Sequence, residues 1–366
     1  DIKAPFVRRN TVVVVVALVE NPRFTSQTKQ CLDTPVREYG WTAKWEPSAA
    51  FRSALERSKL SELAVAEASA KSDSDASKLT KASPSLNIAK YEPALRRGTP
   101  HATLIVCEGD SAANLVRSGL TVVGRTHFGL YPLRGKFLNV RGMRPKDILE
   151  NKEASELLRI LGLQFGLDYD VGAVRKLPYK RLMVISDQDV DGSHIAGLVY
   201  NFVDAVAPSL LAAHPTYLSR FATALIRVGN LKGEGDVAFY SQSEYDAWIE
   251  ARVASARPTG KASYFKGLGT SSAALAKEYF RHLARNVIAM RHTGETCADA
   301  LDLAFNKRRA DDRKTFLLGC DPTSHVDYAA DTTSLDAFVR LELLPQYATA
   351  SVVRAIPSVV DGLKEA

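Results

Sequence analysis

The sequence predicts an α/β protein organised on a parallel β-sheet flanked by helices, and two stretches carry that prediction. In "HATLIVCEGDSAANLVRSGL" the apolar run Thr103–Cys107 stops at an acidic turn and passes into a helix that Asp110 or Ser111 can cap. In "RLMVISDQDVDGSHIAG" the strand Leu182–Ser186 meets a second acidic turn, then a capping Ser193 and a helix from Ile195 to about Val206. Two strand–turn–helix units of one plan call for a parallel sheet with crossover helices. In such sheets ligands gather at the carboxyl ends of the strands, which is where both acidic turns fall.

The other elements follow in order. "TVVVVVALV" reads as a buried strand, because β-branching is costly in a helix and packs well on a pleated surface. Residues from Phe51 to Leu79 turn helical and then polar. "AEASAKSDSDASKLTKASPS" is an exposed linker, poor in bulky apolar side chains. "VAFYSQSEYDAWIE" is a strand running into a helix, and "SYFKGLGTSSAALAKEYFRHL" a strand, glycine turn and helix. "LAFNKRRADDRKTFLLG" is a helix with a basic face.

At 366 residues the chain exceeds one typical domain, and 46% hydrophobic residues suffice for real cores. A net charge of +7 permits a polyanionic partner without demanding one. The longest apolar run falls far short of the ~20 residues of a membrane span, so no membrane partner is expected. Cys31, Cys107, Cys297 and Cys320 are scattered, which speaks for reduced thiols in an intracellular compartment and against structural zinc. The chain begins without Met, as a piece of a longer protein would.

Asp187, Asp189 and Asp191 occupy alternate positions just past a strand. Carboxylates gathered so closely raise one another's pKa and destabilise their turn. A divalent cation removes the conflict, and hard oxygen donors suit Mg²⁺. Glu108 closes the other strand and can converge on the same point. Four acids suffice for one or two ions of the kind that stabilise attacking and leaving oxygens in phosphoryl transfer. Helix capping accounts for Asp191 alone equally well, but not for the whole set. A calcium loop of the EF-hand type is excluded, since no Glu closes it and no helix pair flanks it.

"PLRGKFLNV" sets Arg134 and Lys136 around Gly135, with Asn139 following. Glycine lets a backbone approach a phosphate and the flanking cations neutralise it, although a surface turn has the same composition. Lys266 in "FKGLGTS" precedes a glycine turn and a helix N-terminus, a natural phosphate site. His194 either orients an Asp or contacts nucleic acid directly. The cluster Lys307–Arg309, with Arg313 and Lys314, reads as a solvated helix face.

"EGDSA" with "DQDVDGSH" resembles the Toprim domain, a Rossmann-like fold, of type II DNA topoisomerases of the eukaryotic kind. The resemblance continues through "VVGRTHFGLYPLRGKFLNVRG", "FYSQSEYDAW", "YFKGLGT", "AFNKRRADDRK" and "IPSVVDGLK", while "ENPRFTSQTK" resembles the end of the ATPase transducer. It implies a partial transducer over residues 1–36, a helical and low-complexity linker over 37–98, the Toprim core over 99–225, an associated extension over 226–330, and the approach to a winged-helix domain over 331–366. By the same resemblance Glu108, Asp187, Asp189 and Asp191 bind Mg²⁺ for cleavage and religation of double-stranded DNA. Glu108 and Asp187 share the ion nearest the scissile phosphate, Asp189 and Asp191 hold the other, and Glu108 handles a proton during religation. Arg134, Lys136, Asn139, His194 and Lys266 are implied DNA contacts. Gln27 and Lys29 reach toward ATP held mostly by a domain not in this sequence.

The family's nucleophile is a Tyr after "DGLK"; Tyr200, Tyr264 and Tyr347 do not match its motif, so these 366 residues are expected not to cleave DNA alone. Family membership further implies a homodimer in the nucleus, with mitochondrial or viral relatives possible. Ala113 and Ala196 stand where the family usually has Lys, which predicts weaker DNA affinity with the chemistry intact. Another Toprim enzyme, a primase or nuclease, is the alternative, against which "PLRGK", "KGLGT" and "IPSVVDGLK" argue. A purely basic scaffold predicts DNA binding indifferent to Mg²⁺.

Overall fold

The computed structural model describes residues 9–12, 19, 21–25, 31–38, 48–58, 88–229, 231, 235, 237–239, 242–264, 273–321, 326, 328 and 330–348. It divides into two units, residues 1–71 and 72–366. The valine-rich strand expected near the N-terminus lies outside the described residues. In the first unit, helix α1 (Ala49–Arg57) starts where the Ser48 hydroxyl accepts the Phe51 N–H.

The second unit is built on a six-stranded sheet in the order β2-β1-β3-β4-β8-β9. Strands β1 (Thr103–Glu108), β2 (Phe128–Leu133), β3 (Arg181–Ile185) and β4 (Leu218–Phe221) are mutually parallel. Alternation of side chains across the pleat explains why these short strands are apolar throughout. Leu104, Val106, Leu182 and Val184 enter the larger core, whereas Ile105, Cys107, Met183 and Ile185 enter the smaller one on the opposite face. The larger core is closed by α3 (Lys152–Leu161), α4 (Val190–Val206) and α7 (Glu295–Phe305), the smaller by α2 (Gly109–Val123) and α6 (Ala273–Arg281).

The sheet is mixed rather than wholly parallel. Strand β8 (Val287–Arg291) runs antiparallel to β4, and β9 (Thr332–Ser334) pairs parallel to β8. A second, antiparallel sheet joins β6 (Val237–Phe239), β5 (Ile226–Gly229) and β7 (Lys261–Tyr264) over a small core of Ile226, Val228, Leu231 and Phe239. Strand direction is a property of the partner, so nothing within the β8 segment announces it. The strand-into-helix reading of 237–250 holds, with α5 (Gln242–Ala254) following β6.

Three local expectations are corrected. Helix α2 begins at Gly109, with Glu108 rather than Asp110 or Ser111 at the cap; the Asp110 carboxylate is taken by Lys90 at 2.8 Å. Helix α4 begins at Val190 with Asp189 as its cap, because that carboxylate accepts the Gly192 N–H at 2.8 Å, while Ser193 is buried inside the first turns. The expected single basic helix is broken at Asn306, whose side chain accepts the Arg308 N–H and starts a short 3₁₀ turn before α8 (Ala310–Gly319).

Helix α2 meets α6 at Gly119, where an added Cβ would stand 2.1 Å from Cδ2 of Phe280, a ring fully buried in the smaller core. Gly119→Val is expected to cost about 2–3 kcal/mol of stability through overpacking, measured by urea unfolding. A loss under about 0.5 kcal/mol would show that the two helices separate freely.

Candidate metal and nucleic-acid site

Strands β1 and β3 are neighbours in register, with Cys107 opposite Ile185, so Glu108 and the turn after Ile185 leave the sheet side by side. The turn is held by its own backbone. Ser186 Oγ donates to the Gly192 carbonyl at 2.9 Å, and the Ser193 N–H donates to the Asp189 carbonyl at 2.9 Å. Gly192 is required at this point: a Cβ there would sit 2.0 Å from the Asp187 carbonyl oxygen. The fold-back over Gly192 gathers Asp187, Asp189 and Asp191 at the start of α4, and Asp189 and Asp191 lie where the helix dipole favours negative charge.

Glu108 feels all three aspartates. Its carboxyl is pushed above the usual carboxylate range by burial first, then by the charges of Asp187, Asp189 and Asp191, with Lys136 opposing. The charges of the three aspartates thus act on Glu108. Among the described residues, no group of three or more His, Cys, Asp or Glu is placed so that it could hold a metal ion. A cation of the chain itself is drawn in: Lys136 Nζ lies 2.9 Å from Asp191 Oδ1, both side chains nearly half exposed. An exposed pair of this kind contributes little and parts easily. Carboxylates are hard oxygen donors of the kind a divalent cation such as Mg²⁺ takes.

Lys136 reaches Asp191 from the loop after β2. In that loop Gly135 has a φ of +142°, a left-handed value that favours glycine. The Arg134 N–H donates to Glu153 Oε1 at 2.7 Å, and its side chain is exposed. Asn139 is placed differently from the other expected DNA contacts. Its Nδ2 donates to the Phe305 carbonyl at 2.8 Å, and its Oδ1 accepts from Arg141 N–H and Asn201 Nδ2. It ties this loop to α7.

His194 stacks on Phe305 at 6.2 Å and meets Tyr347 edge-on at 5.5 Å. Burial, then Lys136, lower its pKa, and Nδ1 is buried without a hydrogen-bond partner. Gln27, Lys29 and Lys266 lie outside the described residues. Ala113 and Ala196 are fully buried core positions. Part of the basic cluster is engaged internally: Arg309 pairs with Asp299, Asp302 and Asp312, and Arg313 Nη1 donates to the Leu303 and Asn306 carbonyls, while Lys307 and Arg308 are exposed.

Sequence reasoning missed Gly192 as a structural requirement, although the Asp-Gly step before a helix marks it. It also missed Arg220 and Glu342, whose pairing has no local signature.

Family models match two adjoining segments: the Toprim domain over residues 103–221 and the C-terminal associated domain of Toprim over residues 221–351. DNA topoisomerase 2 of Saccharomyces cerevisiae is 37% identical over 370 residues, spanning 100% of this chain and 25% of that protein. DNA topoisomerase 2 of Arabidopsis thaliana is 37% identical over 369 residues, 100% of this chain and 24% of that protein. A crystal structure of the Plasmodium falciparum topoisomerase II DNA-binding, cleavage and re-ligation domain superposes with a TM-score of 0.65 at 37% identity, covering 74% of this chain and 36% of that one. The chain spans about a quarter of the length of the curated relatives it matches.

Proposed function

Because this chain belongs to the type II DNA topoisomerase family of the eukaryotic kind, we propose that its acidic turn is the Mg²⁺ site serving cleavage and religation of double-stranded DNA. The observation that carries the reading is the parallel pairing of β1 and β3, which sets Glu108 beside the turn that folds back over Gly192 and bears Asp187, Asp189 and Asp191. Glu108, Asp187, Asp189 and Asp191 would hold Mg²⁺, which when bound supplies positive charge to the oxygens of a phosphodiester under attack.

The chain's own residues do the rest. Asp189 keeps one oxygen on the Gly192 N–H, which fixes the direction of the other. Lys136, once Asp191 turns to a metal, is free to meet a phosphate, with the exposed Arg134 beside it. By kinship Glu108 would also take part in the proton transfer of religation, in which the attacking hydroxyl gives up its proton and the departing tyrosine oxygen gains one. The covalent nucleophile is assigned to a tyrosine outside these 366 residues. Strand passage by an ATP-hydrolysing homodimer in the nucleus, with Gln27 and Lys29 near the nucleotide, completes the reading by kinship.

The test is a calorimetric Mg²⁺ titration of the chain and of Glu108→Gln. The substitution is expected to weaken binding at least tenfold or so, since even partners one step removed from a metal cost about that much. Equal binding by both would sink the reading. The same variant should stabilise the metal-free fold. With its pKa raised in the folded state, Glu108 favours the protonated form, so its contribution is lost as pH rises through that value. Glu108→Gln should therefore stabilise the fold near neutral pH and leave it unchanged near pH ~3, where the carboxyl is protonated anyway. Thermal unfolding at the two pH values checks the sign.

A further inference from the structure

Behind the acidic turn, on the larger-core side of the sheet, lies a buried ionic cluster. Arg220 sits on β4, in register with Val184 of the strand that leads into the turn, and its side chain is 0% exposed. Its guanidinium forms an ion pair with Glu342, which is 4% exposed, and donates to the Tyr328 hydroxyl at 2.8 Å. It lies over the rings of Tyr328 and Phe338 at 5.7 and 5.6 Å. The Tyr328 hydroxyl donates to the second oxygen of Glu342. Ser193 closes the circuit: its Oγ donates to Glu342 Oε1 at 2.7 Å and accepts from Arg220 Nη2 at 3.2 Å.

Stability alone does not account for such a cluster, because well-packed apolar residues of equal volume do at least as well. What an ionic cluster adds is direction. Ser193 stands one turn after Asp189 on the same face of α4 and two residues after Asp191. Its hydroxyl is gripped from two sides by groups that cannot move, since Arg220 belongs to the sheet. Glu342 belongs to the π-helical turn Phe338–Leu343, a wide turn of the kind that recurs at functional sites. The rotation of the first turn of α4, and with it the aim of Asp189 and Asp191 toward Glu108, is thereby fixed from below.

We propose that Arg220, Glu342 and Tyr328 are positioning residues for the acidic turn, acting through the Ser193 hydroxyl. The inference rests on the metal reading of that turn, and its test separates the two. Ser193→Ala cuts the link while leaving the Arg220–Glu342 pair in place, and Tyr328→Phe removes the hydroxyl that bonds both Arg220 and Glu342. Each variant is examined by Mg²⁺ calorimetry, by the Mn²⁺ spectrum of the bound ion, and by amide exchange at Gly192 and Ser193, with thermal unfolding as control.

Ser193→Ala is expected to keep its Tm within a few degrees, to bind Mg²⁺ about tenfold more weakly and to exchange those amides faster. Tyr328→Phe should weaken Mg²⁺ binding about threefold. Binding within about twofold of the parent for both variants, with unchanged exchange, would overturn the proposal. Should the parent take up no Mg²⁺, the metal reading falls; faster exchange in the variants would then still support the positioning role, and unchanged exchange would refute it.

Discussion

Gly192→Ala is expected to unfold the acidic turn and to abolish Mg²⁺ binding. The added methyl would stand 2.0 Å from the Asp187 carbonyl oxygen, 2.8 Å from its carbonyl carbon and 2.9 Å from its nitrogen. All three are backbone atoms, so no rotamer change relieves the contact; the turn itself must open. Opening it breaks the Ser186 hydroxyl bond to the Gly192 carbonyl and the Asp189 cap together. A destabilisation of about 3 kcal/mol follows from the overpacking alone, with up to about 1 kcal/mol more from the lost cap. Urea unfolding measures the first effect and calorimetry the second. A variant of parental stability that binds Mg²⁺ normally would show that the turn has a second conformation able to hold the acids.

Arg220→Met should be the most destabilising single change in the larger core, by about 3–5 kcal/mol, because it leaves the Glu342 carboxylate buried without its counter-charge. The loss is not the worth of the pair. Arg220→Met combined with Glu342→Met is expected to recover most of it, since both desolvation penalties vanish with the charges. A double-mutant cycle by urea unfolding reads the coupling. If the single variant loses less than about 1 kcal/mol, water reaches Glu342 and the cluster is not sealed.

What the sequence could and could not disclose follows from the range of the forces involved. The apolar runs Thr103–Cys107 and Leu182–Ser186 and the acids after them are local patterns, so the strands and the two acidic turns at their ends were legible. The choice of cap was not. Asp110 and Ser193 are both good cap residues by type, but Lys90 draws one away and Glu342 engages the other, from 20 and 149 residues distant. Asn139 shows the same limit. Its neighbours in the sequence suggested a phosphate contact, whereas its amide is spent on Phe305 and Asn201, which only the fold brings near. Nor does the sequence show that Ala113 and Ala196 are core methyl groups.

The mixed sheet also bears on where this chain can be divided. The Toprim match stops at Phe221, the last residue of β4, yet the strand that pairs with β4 on its far side is β8, from the segment matched as the associated domain. Cutting there would strip β4 of its neighbour and leave a row of unpaired amides and carbonyls on a bare, largely apolar margin, the surface that recruits stray strands and drives aggregation. It would also take Phe280 and Phe305 from the two faces. The boundary between the two matched segments is thus a seam in the alignment and not a break in the second unit, whose main sheet runs across it.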